Sequence, residues 1–247
     1  MTDTDLPETR QALLADRLAH GVTLRLSEIA AEFGVSTDTA RRDLATLEAA
    51  GQARRVRGGA LPAAPASPLR DREPSDLPPG LLDRLVRHLA QAHTLIVDGG
   101  TSTLALARRL DPAPGRVVIT PAPRIAAVTH SRGIATITIG GPLSERGGIA
   151  TGAAAQAALA DTFADVTVLG ACGLDANRGL SSDDHDEAAI KRAMAAAAAR
   201  TCVLTGAAKL GRRARHATLR SEAIHLLATD APPDATAPFA ARGTEIL

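Results

Sequence analysis

From residue 8 to residue 61 the apolar positions fall into three short helical patterns followed by the pattern of a hairpin. In Glu8 to His20, Leu13, Leu14 and Leu18 are expected to share one face, and Gly21 closes the segment. In LRLSEIAAEFGVS, Leu24, Leu26, Ile29, Ala30, Phe33 and Val35 recur at helical spacing, with Ser27 as the expected cap and Gly34 turning the chain. A further helix follows at once: Ser36 or Thr37 caps it, Ala40, Leu44 and Leu47 form its apolar stripe, and Gly51 stops it. Its other face carries Thr37, Thr39, Arg41 and Arg42, whose hydroxyl and guanidinium groups suit phosphates and guanine edges in a major groove. Arg54, Arg55 and Arg57 then precede a Gly58-Gly59 turn signal, which predicts a hairpin with a basic edge. Singly, these arginines also fit a solvated helix and a basic loop. Their order after a helix and a tight turn predicts a winged helix-turn-helix, with Ser36, Thr37, Thr39, Arg41, Arg42, Arg54, Arg55 and Arg57 as candidate DNA-binding residues.

The periodicity then lapses. PAAPASPLRDREPSDLPPG is rich in Pro, Ala, Ser and charge, and predicts a semi-rigid linker over residues 62–80 that separates a domain at 1–61 from one at 81–247. From Leu81 the pattern alternates: LLDRLVRHLAQA, TSTLALARRL and EAAIKRAMAAAAA read as helices, and TLIVD, RVVIT, ITIG, VTVLGA and TCVLTG as buried strands. That alternation predicts an α/β domain built on a mostly parallel sheet, with ligands bound beyond the carboxyl ends of the strands.

Composition sharpens the picture. With 247 residues and 45% hydrophobic content, one small and one medium packed domain are expected. Aromatic residues are only 1%, so stacking platforms for single-stranded nucleic acid are unavailable and duplex recognition is favoured. Between Thr39 and Arg57 five arginines face Asp43 and Glu48, a balance of +3 on a chain whose net charge is +1. Cys172 and Cys202 sit in apolar runs without a CxxC, and are expected as buried, reduced thiols. The first ten residues are polar, with residues before Pro7 expected to be disordered, and no apolar window reaches the length of a membrane span, so a cytoplasmic location and no membrane partner are expected.

The strongest chemical motif lies at the first strand end of the second domain, Asp98-Gly99-Gly100-Thr101-Ser102-Thr103. Two glycines let the backbone turn with amides exposed, the hydroxyls add donors, and a helix starts there, an arrangement that fits an anion. A strand-to-helix turn also uses Gly and a Thr cap for structural reasons alone, so both readings stand. Nucleotide motifs are absent: there is no GxxxxGKS and no GxGxxG after a strand. Asp183, Asp184 and Asp186 around His185 read as a solvated helix start rather than a metal site, and no cofactor is expected.

VSTDTARRDL, LEAAG and RVRGGA resemble the winged helix-turn-helix signature of the DeoR/GlpR family of bacterial transcription regulators. The resemblance continues through the second domain. IVDGGTST is similar to that family's sugar-phosphate-binding turn, and GLDANRGLSSDDHDEAAIKRAM to its second signature, covering Gly173, Asp175, Gly179, Asp184, Glu187 and Lys191. AAKLG with Lys209, Gly140-Gly141 and Gly152 stand where the family has loops around the pocket. The resemblance implies a sensor domain similar in fold to sugar-phosphate isomerases of the ribose-5-phosphate type. It also implies effector contacts from Asp98 through Thr103, Gly140, Gly141, Gly152, Asp175, Asp184, Glu187, Lys191 and Lys209. For Asp184 and Glu187 helix capping is the competing role, and Lys191 is expected to pair with Glu187 one turn away. Two positions depart from the family pattern: Pro121 follows Thr120 where an asparagine is usual, and Gly206 stands where an aspartate precedes the loop lysine. Both are expected near the pocket, and both bear on which member of the ligand class it takes.

Together these features predict a DNA-binding repressor that acts as a homo-oligomer, a dimer or tetramer, on double-stranded operator DNA and responds to a small phosphorylated, sugar-like effector. A sugar-phosphate isomerase with an appended DNA-binding module, using Glu187 and Lys209, is the alternative, against which Gly206 counts. A ligand-free architectural DNA binder is a third reading, disfavoured by the two pocket blocks.

Overall fold

The computed structural model describes residues 6–19, 22–50, 52–62 and 75–247. The expected stops at Gly21 and Gly51, the segment before Leu6 and linker residues 63–74 lie outside them. The chain divides into two compact units, Met1–Pro65 and Ala66–Leu247.

The first unit holds helices α1 (Pro7–Ala19), α2 (Leu26–Phe33) and α3 (Thr37–Ala49) with strands β1 (Leu24–Arg25), β2 (Ala53–Val56) and β3 (Gly59–Pro62). The strands form an antiparallel sheet in the order β1-β3-β2. Leu14, Leu18, Ile29, Ala40, Leu44 and Leu47 meet in one small core with Leu24, Ala53 and Ala60. Two expectations fail here. Leu13 is 40% exposed, because the face shared by Leu14 and Leu18 continues to Arg10, not to Leu13. Ser27 is not the cap of α2: the helix leaves β1 directly, and the Gly58 carbonyl accepts the Leu26 amide at 2.9 Å. Gly34 ends α2 at φ 62°, a left-handed position that glycine adopts without strain. Ser36 caps α3, accepting the Thr39 amide at 3.1 Å.

In the second unit, α4 (Pro79–His88) precedes β4 (Thr94–Val97), α5 (Thr101–Ala107), β5 (Val117–Thr120), α6 (Pro123–Ser131), β6 (Ala135–Thr138) and α7 (Ala153–Ala160). There follow β7 (Ala164–Gly170), β8 (Gly173–Asp175), β9 (Gly179–Ser182), α8 (His185–Ala196), β10 (Ala198–Leu204), β11 (His216–Leu219), β12 (Leu226–Ala228), α9 (Pro233–Ala240) and β13 (Glu245–Ile246). Seven strands form one parallel sheet in the order β13-β12-β10-β7-β4-β5-β6. Leu95, Ile96 and Val97 are fully buried, as strands covered on both faces require. β8, β9 and β11 form a separate antiparallel sheet that the apolar pattern did not announce. Of the expected linker, Leu77 is buried in the core of this unit and Pro79 already starts α4, so residues 75–80 belong to it.

The chain runs from β4 outward to β5 and β6, then returns to place β7 on the other side of β4. The strand order therefore reverses between β4 and β7. At such a switch point the adjoining loops diverge and leave a crevice beyond the carboxyl ends of the strands.

Candidate functional site

On the first unit, α3 and the β2–β3 hairpin present the basic surface. Thr37, Arg41, Arg42, Arg54, Arg55 and Arg57 are exposed and Thr39 is half-buried. The arginines are not equivalent. Arg41 is paired with Asp38 on its own helix, and Arg55 bridges to α3, its Nε 2.9 Å from Glu48 Oε2. Arg42, Arg54 and Arg57 have no carboxylate partner among the described residues. Ser36 is taken up by its cap, its Oγ also lying 2.9 Å from Thr39 Oγ1. Asp43, counted in the sequence as local negative charge, is instead buried, and Arg10 Nε meets its Oδ2 at 2.6 Å. Gln11 donates to its other oxygen at 2.7 Å. The exposed surface is thus more basic than the sequence balance indicates.

On the second unit a cleft of about 630 Å³ opens at the switch point. Its walls come from the carboxyl ends of the neighbouring strands β4 (Asp98), β7 (Gly170) and β10 (Thr205), from the start of α5, and from Glu187 and Lys191 on α8. The turn from Asp98 to Thr103 lies along it, as does Lys209, half-buried in a single 3-10 turn at Ala207–Lys209. Gly99 fits only without a side chain, since a Cβ there would stand 2.2 Å from Ile149 Cγ2. Gly100 holds φ 136° as the residue before α5, which leaves the first-turn amides of Thr101, Ser102 and Thr103 without intrahelical acceptors. Thr103 turns its hydroxyl back to the Gly100 carbonyl at 3.2 Å, and Ser102 Oγ lies 3.5 Å from Ser75 Oγ, while Thr101 and Ser102 both line the cleft.

Deeper in, a buried ion pair fixes the geometry. Lys191 Nζ lies 2.7 Å from Asp98 Oδ2 and donates to the Gly170 carbonyl at 2.7 Å, while the Gly170 amide donates to the same carboxylate oxygen at 3.0 Å. Burial works against the Lys191 ammonium, but the Asp98 carboxylate, with Cys172 and Glu187 nearby, outweighs it and holds the lysine's pKa above its ordinary value. The expected Lys191–Glu187 pairing is therefore replaced: Glu187 Oε1 accepts the Gly147 amide at 2.6 Å. Asp98 Oδ1 is buried with no hydrogen-bond partner among the described residues, an acceptor left over inside the site.

Several residues expected at the pocket do other work. Asp175 accepts the amides of Asn177 and Arg178 at 2.9 Å and pairs with Arg213, closing the β8–β9 hairpin. Asp184 caps α8 through the amides of Asp186 and Glu187, because a carboxylate before a helix finds those donors closer than any ligand. Gly140, Gly141 and Gly152 do not line the cleft. Gly141 packs where a Cβ would stand 2.6 Å from the Thr151 carbonyl oxygen, and the loop so shaped delivers Gly147 and Ile149 to the cleft instead. Pro121 is also absent from the walls, its carbonyl accepting the Ala150 amide at 2.7 Å. Gly206 does line the cleft, and the carboxylate at its loop comes from Asp230, which accepts the Ala207 amide at 2.7 Å. Cys202 is buried, which pushes its thiol up to about 12, whereas Cys172 is only half-buried and faces the cleft, contrary to the expectation of two buried thiols. Ser75, Asp76, Leu77, Gly147 and Thr205 were not singled out in the sequence: the first three fall in the stretch read as linker, and only Gly147 and Thr205 adjoin glycines that hint at a loop.

A winged helix-turn-helix joined to an α/β unit with a cleft at its switch point defines a DNA-binding regulator with a sensor. The family follows from the comparisons: residues 10–64 match the DeoR-like helix-turn-helix domain and residues 83–231 the DeoR C terminal sensor domain, and the chain belongs to the DeoR family of transcriptional regulators. It is 29% identical to a putative aga operon transcriptional repressor of Escherichia coli O157:H7, over 99% of this chain and 94% of that one. It is 30% identical to the HTH-type transcriptional regulator GlpR of Haloferax volcanii, over 93% and 92%. The glycerol-3-phosphate regulon repressor of Escherichia coli K12 is 28% identical, over 83% and 84%. A ribose-5-phosphate isomerase in complex with phospho-erythronic acid overlaps 55% of each chain at a TM-score of 0.36 and 14% identity. The protein is a regulator rather than an enzyme, and among the described residues no helix is long and apolar enough to cross a membrane.

Proposed function

We propose that this repressor is controlled by a small phosphorylated polyol or sugar seated in the cleft of the second unit. One observation carries the reading: the cleft sets the first-turn amides of α5, the Thr101 and Ser102 hydroxyls and Lys209 beside the unpartnered Asp98 oxygen and Glu187. The former group suits a phosphate, and the carboxylates suit ligand hydroxyls. A volume of about 630 Å³ lies in the range of small-molecule sites. Relatives named for the aga operon and the glycerol-3-phosphate regulon fit the same chemistry.

Control then works by linkage. The effector binds one arrangement of the sensor better, and that arrangement places the paired DNA-binding units badly for the operator. The regulator acts as a homo-oligomer in the cytoplasm, since one helix-turn-helix reads too few bases and two recognition helices roughly 34 Å apart match a repeated half-site.

Calorimetry with glycerol 3-phosphate and ribose 5-phosphate, beside glycerol and ribose, tests the reading. At least one phosphorylated compound should bind, and Lys209→Ala should weaken it by about 1.5–3 kcal/mol while barely altering its unphosphorylated counterpart. Equal affinity for the two forms would remove the phosphate from the account.

At the DNA surface, Arg41→Ala is expected to relax base preference at a cost of about 1–3 kcal/mol, since Arg41 sits one turn into α3. Arg57→Ala, at the hairpin turn, should weaken all sequences alike and flatten the salt slope by about 1. Gel shifts on operator and random DNA over a salt series separate the two, and equal loss on both DNAs for Arg41→Ala would move that residue to a phosphate contact.

A further inference from the structure

The end of the sheet opposite the cleft, where β7, β10 and β12 begin, carries a second and smaller hollow. Arg200 lies beside Val166 and Cys202 beside Leu226 in the strand register, and the end of α4 with the turn after it completes the walls. The groove holds about 280 Å³. Leu89, Ala92, Cys202 and Leu226 are buried in it and Val166 half-buried, while His88, Asp165 and Arg200 give it a polar rim. Small-molecule sites run from roughly 300 to 1,000 Å³, so the groove is small for a metabolite, but a cavity of about 150 Å³ already takes a benzene ring.

Two residues before Asp165 the same surface carries the matching shape. Phe163 is 93% exposed, the most exposed large apolar side chain among the described residues, whereas Phe239 is buried and Phe33 packs on the core of the first unit. A lone apolar side chain in water needs no explanation by itself. Phe163 differs in its mounting. Thr162 donates its amide to the Leu159 carbonyl at 3.0 Å and its hydroxyl to the Ala158 carbonyl at 2.9 Å, and the Ala164 amide donates to the Ala197 carbonyl at 2.8 Å. The backbone is pinned on both sides of the ring, so little beyond the ring's own rotamer is left to be ordered when it docks. Charge matches as well. At the groove, Arg200 and His88 share the carboxylate of Glu245, at 2.9 and 3.6 Å, whereas Asp161, in the same turn as Phe163, is exposed.

A projection and a hollow side by side make a surface complementary to itself, which is what a two-fold contact requires. We propose that this end of the sensor sheet is an interface between two copies of the chain, with each Phe163 seated in the other copy's groove and each Asp161 brought to the other's Arg200 and His88. The proposal supplies a contact for the homo-oligomer reading and rests on it. All of its residues belong to the second unit, and aromatic anchors filling pockets are the groups that dominate such interfaces.

Analytical ultracentrifugation of the full chain over a concentration series tests it. Phe163→Ala should raise the concentration at which the wild-type assembly splits into halves roughly a hundred- to a thousandfold, because each contact loses two anchors. The ring touches little of its own chain, so this variant should unfold in denaturant as wild type does where both are dissociated. Ala92→Leu fills the groove but keeps the ring, and should also weaken the assembly. Mixing the two variants restores one ring in one groove, so their hetero-assembly should hold together about tenfold more tightly than either variant alone. If wild type stays monomeric throughout, the homo-oligomer reading fails and this interface with it. If wild type assembles but either variant assembles equally well, or the mixture gains nothing beyond random pairing, the homo-oligomer reading stands and the interface is overturned.

Discussion

Lys191→Met lowers the stability of the sensor unit by about 3–5 kcal/mol, the cost of leaving the Asp98 carboxylate buried without its partner. The effect exceeds that of losing a lysine stem, because Asp98 is fully buried and already has one oxygen without a hydrogen bond. The double replacement Lys191→Met with Asp98→Leu recovers part of the loss, since it removes the stranded charge together with its partner. The pH dependence has a defined sign. The folded pKa of Lys191 lies above its unfolded value, so the pair's contribution is fully present below about pH 10.4 and is lost as pH rises through the higher folded value. Denaturant unfolding followed at pH 7 and above pH 10 checks both points: wild type loses stability in the alkaline window and Lys191→Met loses less.

The first unit carries a pair of the same kind. Asp43→Ala strands Arg10, whose guanidinium is buried against Asp43 Oδ2 at 2.6 Å, and costs about 3–5 kcal/mol. In so small a unit, with nine buried apolar residues in the core among the described residues, that approaches the whole stability of a domain. Operator binding is therefore lost although no residue facing DNA has changed. Amide exchange separates this from a lost contact: α1 and α3 exchange rapidly in Asp43→Ala and stay protected in Arg41→Ala. Protection retained in Asp43→Ala would mean that the pair contributes little.

These two pairs mark where reading the sequence stops. Periodicity located α1, α2, α3 and the parallel strands β4, β5, β6, β7 and β10, because apolar residues at spacing 3.6, or in short runs, are the groups that burial selects, whereas β12 and β13 are too short to stand out. It gives no place to a charged residue that turns inward, so Asp43 was counted as surface charge and Lys191 was paired with its helical neighbour Glu187 in place of Asp98, 93 residues away in the chain. β9, with the sequence GLSS, is buried along its whole length through Ser181 and Ser182 hydrogen bonds, and no alternation announces it. The Asp98–Thr103 turn and Lys209 were identified from residue type and resemblance, and the structure brings them to one cleft. Asp175 and Asp184 cap backbone amides and do not line the cleft, a difference hidden in the sequence because a carboxylate ahead of a turn or helix looks the same whether it caps amides or meets a ligand. Ser75 and Leu77 lay in a segment read as linker, where composition conceals a single leucine committed to the core.

The central claim is that anion binding at the turn after β4 governs operator release. Fluorescence anisotropy of labelled operator, titrated with a sugar phosphate that binds wild type, measures it in wild type, Gly100→Val and Thr101→Ala. Valine at Gly100 would have to adopt φ 136° and would crowd the phosphate, and alanine at Thr101 removes a hydroxyl donor. The account predicts that all three proteins bind operator alike without the sugar phosphate, that wild type releases it on addition, and that Gly100→Val does not release it while Thr101→Ala needs a higher concentration. Release by Gly100→Val at the wild-type concentration would contradict the account, making the turn a structural strand-to-helix connection.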